Sequence, residues 1–168
     1  MPRRARLCGD ESAHHRADPT TSAHRRLVNG DDRIGEYAFS NSLGIRRFPY
    51  AGYPNTYADV TGAEVHDDGE IYAAAMWRVL ENYLAAGLTA SDLQDDFVGG
   101  MNFTPATPAF EDMRDGMLQS AAGTGRECLI WRGFAATGIG VGADGVLSKS
   151  GRRVTITESF ALPAECTP

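Results

Sequence analysis

Residues 64–87 read EVHDDGEIYAAAMWRVLENYLAAG, and this stretch decides the fold. Ile71, Ala75 and Val79 recur at spacings of four, with Met76, Leu80, Tyr83 and Leu84 on an adjoining stripe. That is the period of a helix with one broad buried face. Asp67 and Asp68 suit its first turn, where carboxylates stabilise exposed N–H groups. Gly87 suits its end, because glycine accepts the left-handed conformation that closes many helices. His66 therefore sits at or just before the N-terminus of a buried helix. A donor there is carried by a rigid element and can point into a cleft.

Upstream, residues 28–63 read as mostly loop. Gly44-Ile45-Arg46-Arg47-Phe48-Pro49-Tyr50 sets two adjacent arginines among aromatics. Pro49 pushes Phe48 toward extended backbone, and in an extended strand Arg46 and Arg47 face opposite ways. Residues 1–27 hold almost no large apolar side chains and read as a disordered tail. His14, His15 and His24 lie there and read as solvated.

Downstream, Ser91 is placed to cap a helix from Asp92, with Leu93, Phe97 and Val98 inward. Thr107-Pro108 signals a further start, followed by a stripe of Phe110, Met113, Met117, Leu118 and Ala121 that ends at Gly123. Cys128, Ile130, Trp131, Phe134 and Ala135 form another helix, closed by Gly138. Gly138-Ile139-Gly140-Val141-Gly142 contains GxGxG but follows a helix, the wrong context for a dinucleotide site. Residues 152–160 alternate like a strand. The predicted fold is mainly α, a bundle of about four helices with a short C-terminal β extension.

The chain has 168 residues, 42% hydrophobic and 23% charged, enough for one domain with a core. Residues 1–27 carry six arginines against three acids, so +3; with a total of −6, the remainder carries −9. An acidic body argues against a nucleic-acid surface. No apolar run approaches a membrane span, and the N-terminus lacks the apolar core of a secretory signal. Cys8, Cys128 and Cys166 are far apart and form no CxxC pair.

One ionisable cluster stands out: Glu64, His66, Asp67, Asp68 and Glu70. Three readings compete on spacing alone. His66 and Glu70, four residues apart, could ligate a metal with a third group. The cluster could be a solvated helix start with an incidental histidine. Or His66 could be a positioned donor in an active site.

Four segments resemble the C-terminal half of the peptidase domain of fungalysin-type zinc metallopeptidases, over roughly residues 34–142. They are Gly44–Tyr50; Glu64-Val65-His66 with Gly69-Glu70-Ile71-Tyr72 and Met76-Trp77; Gly100-Met101-Asn102 with Pro105, Pro108, Phe110, Arg114-Asp115 and Leu118; and Ile130-Trp131 with Phe134, Ala135 and Gly138-Ile139-Gly140. The resemblance implies the helical lobe of a thermolysin-like enzyme acting on peptide or protein substrates outside the cell. It also implies that His66 steadies the tetrahedral intermediate of peptide hydrolysis from that lobe. Arg46 or Arg47 would orient the carboxylate network or the substrate carbonyl, with Arg46 the choice. Glu64, by its proximity, would orient the imidazole.

The departures are as informative. No histidine opens the HExxH that binds zinc in such enzymes, so no zinc is expected to bind this chain alone, and the chain alone is expected to be inactive. The expected organisation is a tail over 1–27, the helical subdomain over 28–142 and a β-strand tail over 143–168, a piece of a peptidase without its N-terminal zinc-binding lobe. Faces that would meet that lobe should be apolar and open. The other reading is a non-enzymatic helical module that binds a partner chain, such as a separately encoded zinc-binding half. Fungal members place a cysteine at the position of Ala106 to pair with that of Cys128, so the resemblance also implies a free, buried Cys128 thiol.

Overall fold

The computed structural model describes residues 32–42, 44–148 and 154–167. The N-terminal tail with His14, His15 and His24 lies outside the described residues, as do residues 152 and 153 of the strand pattern. Within them the order is α1 (Glu36–Phe39), α2 (Val65–Ala85), α3 (Ala90–Gly100), α4 (Phe110–Ser120), α5 (Glu127–Ala135), β1 (Asp144–Leu147) and β2 (Val154–Thr157). The fold is mainly α with a small C-terminal β part.

The 64–87 stretch folds as its periodicity requires. α2 is the long central helix, and Ile71, Ala74, Ala75, Val79 and Tyr83 are buried along it. Gly87 follows in the left-handed region at φ +81°. The main core gathers Val79 and Tyr83 with Met117, Ala121, Ile130, Phe134 and Ile139. α2 and α5 come very close at one point. A Cβ on Gly133 would lie 2.6 Å from the Val79 nitrogen, so only glycine lets the two backbones meet there.

Other starts shift for identifiable reasons. α3 is capped by Thr89, not Ser91. The Asp92 carboxylate accepts from the Thr89 N–H at 2.7 Å, while the Asp92 N–H donates to Thr89 Oγ1. Val98, expected inward, is 53% exposed, and Asp96 is buried on that helix instead. α4 begins two residues beyond Pro108, with the Asp112 carboxylate accepting from Ala109 N–H at 2.7 Å. Residues 44–50 form bends rather than a strand, so the alternation expected of Arg46 and Arg47 does not apply.

Three buried carboxylates join elements, each through a tyrosine hydroxyl. Tyr83 donates to Asp96 at 2.6 Å, and Arg126 binds the same carboxylate with Nε at 2.8 Å and Nη2 at 2.7 Å. Tyr57 and the Gly145 N–H donate to Glu111, tying the β1 start to α4. Tyr53 donates to Glu70 at 2.6 Å. Burial and the carboxylate together push each of these tyrosines well above its usual pKa.

The β part is an antiparallel hairpin, Asp144 facing Thr157 and Leu147 facing Val154. Beyond it the chain returns to the Gly138–Val141 turn, where Gly140 N–H donates to Ser159 and Val141 N–H to Ala161. Arg114 holds that turn from below through the Ile139 and Gly140 carbonyls, with its guanidinium 4.5 Å over the Trp131 ring.

Cys128 is not a free thiol. It forms a disulfide with Cys166, 38 residues away, which fastens the C-terminal segment to α5. Arg132 donates to the Cys166 carbonyl beside it. Closing a loop of that length restricts the unfolded chain, so Cys166→Ala is expected to cost about 2–4 kcal/mol. Urea unfolding of the two forms under non-reducing conditions measures this; equal midpoints would show that the bridge carries no stability.

Candidate functional site at the start of α2

The start of α2 is held by its own capping residue. Glu64 is extended, and its Oε2 accepts from the His66 N–H at 2.9 Å and the Asp67 N–H at 2.8 Å. Its Oε1 lies 2.8 Å from His66 Nδ1. One carboxylate thus caps the helix and holds the imidazole. The hydrogen bond from His66, then that from the Asp67 N–H, keeps the Glu64 carboxyl below its ordinary 4.5. An ionised carboxylate only accepts, so Nδ1 carries the proton in this contact. Nε2 is left for outside contacts, and it bears a proton only in the doubly protonated ring. The His66 side chain is 72% exposed.

The sign of the pH effect follows. A carboxyl with a lowered folded pKa adds stability above its unfolded pKa and loses it as pH falls through the folded value. Amide-exchange protection in the first turn of α2 is therefore expected to persist to below pH 4.5 and to vanish in more acid solution. In Glu64→Gln the acid-dependent loss should be absent; a wild-type profile retained in that variant would contradict the assignment.

The surroundings fix this turn from two sides. Asp68 accepts from Thr61 N–H at 2.9 Å and Gly62 N–H at 2.7 Å, so the incoming loop is tied to the helix. Arg47 comes from the 44–53 loop. Its Nε donates to Glu70 at 3.1 Å, and its Nη2 donates to the Asp67 carbonyl at 2.8 Å and to Tyr53 at 3.2 Å. Glu70 is only 3% exposed.

The two arginines are thereby distinguished. Arg47 is engaged with the helix start. Arg46 lies against the Tyr50 hydroxyl, and its Nε is buried without a hydrogen-bond partner among the described residues. Ile45 and Phe48 of the 44–53 loop and Val65 at the helix start are 48%, 42% and 74% exposed. An apolar groove of about 540 Å³ runs between α2 and α3, lined in part by Tyr50, Tyr72, Trp77 and Phe97.

A metal site at His66 and Glu70 is not what the chain builds. His66 Nδ1 faces Glu64, and Glu70 is buried and occupied by Arg47 and Tyr53. Among the described residues no group of three or more His, Cys, Asp or Glu side chains could hold a metal ion. The donors among the described residues do not fit zinc. No helix among them is long and apolar enough to cross a membrane.

What sequence reasoning missed here is the double duty of Glu64 and the whole Arg47–Glu70–Tyr53 network. The one available signal was that Glu70 falls on the buried stripe, one residue before Ile71.

Residues 15–143 match the family model described as fungalysin metallopeptidase (M36), a stretch that extends further toward the N-terminus than the four segments quoted above. The chain is 31% identical over 167 residues to "Extracellular metalloproteinase mep" of Aspergillus terreus, covering 82% of this chain and 25% of that protein. It is 30% identical over 172 residues to "Extracellular metalloproteinase 4" of Arthroderma gypseum, covering 84% of this chain and 26% of that protein. Against "Extracellular metalloproteinase MEP" of Pyricularia oryzae the identity is 30% over 159 residues, covering 80% and 24%. The chain spans about a quarter of the length of these relatives. Members of this family use zinc. With three quarters of its length matched by that model, the chain belongs to the fungalysin metallopeptidase (M36) family.

Proposed function

We propose that these residues form the helical wall of a fungalysin-type peptidase site, and that His66 donates a hydrogen bond to the oxyanion formed when a peptide bond is attacked. The observation that carries the reading is the Glu64–His66 pair at the mouth of α2. A carboxylate on Nδ1 fixes the ring and leaves Nε2 as the nitrogen available to meet a developing oxyanion. Arg46 is the arginine proposed to meet the substrate carbonyl or a carboxylate of the facing wall, since Arg47 is already engaged.

The described residues do not fit zinc, so the metal-binding and base residues are proposed to belong to a separate lobe, here or in another chain. Exposed Ile45, Phe48 and Val65 and the apolar groove along α2 support a covering partner of that kind. Action outside the cell is proposed from the relatives' names, and the Cys128–Cys166 disulfide suits an oxidising compartment.

A chimera tests the reading. Residues 32–167 replace the matched quarter of the Aspergillus terreus relative. Chelator-sensitive casein hydrolysis is expected. A folded, zinc-loaded chimera that leaves casein intact would contradict the proposal.

A further inference from the structure

The carboxylate most deeply buried near the imidazole is not Glu64 but Glu70. It accepts three hydrogen bonds: from the Arg47 main-chain N–H at 3.2 Å, from Arg47 Nε at 3.1 Å and from Tyr53 at 2.6 Å. All three donors come from the 44–53 loop. Arg47 then reaches past Glu70 to the Asp67 carbonyl at 2.8 Å, and its Nη1 lies 3.4 Å from the Asp67 carboxylate. Asp67 is the residue after His66, and its N–H is held by Glu64. An unbroken set of contacts thus runs from a buried anchor to the ring: Glu70, Arg47, Asp67, Glu64, His66.

We infer that Glu70 and Tyr53 are positioning residues that act through Arg47 to set the conformation of the His66 ring. This rests on the reading above that His66 is the functional donor. Neither residue touches the imidazole. They lock the guanidinium, and the guanidinium fixes the backbone of the first helical turn, on which the Glu64–His66 geometry depends. A ring that is 72% exposed has little packing of its own to orient it. Its orientation therefore comes from Glu64, and that of Glu64 from the turn it caps. The buried carboxylate is suited to this role because its donors leave it little freedom to move.

The test reads the ring rather than a rate. The full chain is labelled with ¹³C and ¹⁵N histidine, and His66 is assigned by loss of its signals in His66→Gln. Its imidazole shifts report which nitrogen carries the proton in the neutral ring. The wild type is expected to hold Nδ1–H as the major tautomer, against the usual preference of free histidine for Nε2–H. Glu70→Ala is expected to reverse that ratio. Glu70→Gln, which keeps an acceptor for Arg47, should retain most of it. Tyr53→Phe removes one hydroxyl, leaves the ion pair and should shift the ratio part way, so it serves if Glu70→Ala does not fold.

Val79→Ala, in the middle of α2, controls for lost stability and should leave the ratio unchanged. A Glu70→Ala or Tyr53→Phe ratio equal to the wild type overturns the inference, as does an equal shift in Val79→Ala. Glu64→Ala separates this from the reading beneath it. If Glu64→Ala leaves the ring unmoved, the Glu64–His66 hold itself fails. If it moves the ring while Glu70→Ala does not, only the positioning role fails.

Discussion

Asp96→Ala is expected to destabilise the fold by about 3–5 kcal/mol, the range for breaking a buried ion pair by removing one partner. Asp96 is 2% exposed, and its carboxylate is shared by Arg126 and Tyr83. Both are left without it. Tyr83 is fully buried, so its hydroxyl loses its acceptor away from water. The Asp96 hydrogen bonds raise the pKa of Arg126, which is therefore charged at any ordinary pH. Asp96→Asn keeps one acceptor and should cost less. The contrast is Arg78–Glu81, an ion pair at 2.8 Å with both side chains about a third exposed. Removing Glu81 should cost under about 1 kcal/mol. Urea unfolding of the three variants checks the order; a similar loss at Glu81 and Asp96 would show that burial is not what gives the Asp96 cluster its weight.

The second large effect is catalytic. In the chimera, His66→Ala is expected to lower kcat by about 10²–10³, the range for removing one oxyanion donor. That corresponds to about 2.7–4 kcal/mol of transition-state stabilisation. KM should change little, because a ground-state carbonyl carries little of the charge the imidazole answers. The side chain is 72% exposed in this chain, so its loss should leave the fold intact, and the unfolding midpoint should match the wild type. Casein or short-peptide hydrolysis measures the rate. A fall in kcat accompanied by an equal fall in stability would assign the effect to the helix start rather than to the ring.

Much of this arrangement is written locally. The α2 periodicity, Asp67 and Asp68 in its first turn, Gly87 after it and the Met117–Ala121 stripe are each read from a short run of sequence, and each appears as read. The caps were harder. Ser91 and Thr89 are both good capping residues, and what selects Thr89 is the reciprocal bond from Asp92. Thr107-Pro108 gave a start signal, but α4 waits for Asp112 to reach Ala109.

Long-range partners left no local trace. Asp96 looks like a solvent residue until Arg126, 30 positions on, folds over it. Cys128 and Cys166 are separated by 38 residues, and the family resemblance implied a free Cys128. Arg46 and Arg47 were equivalent by type and by neighbourhood. Glu70, Tyr53 and Asp67, which the fold brings beside Arg47, separate them.

That His66 answers charge in the transition state is tested most directly by an inhibitor that imitates it. A phosphonamidate peptide carries its anionic oxygen where the oxyanion forms, and a matched amide substrate does not. In the chimera, His66→Ala should raise the inhibitor's dissociation constant by about 10²–10³ while leaving KM for the amide nearly unchanged. An inhibitor bound as tightly by the variant as by the wild type, or a KM that rises in step with it, would contradict the role given to the imidazole.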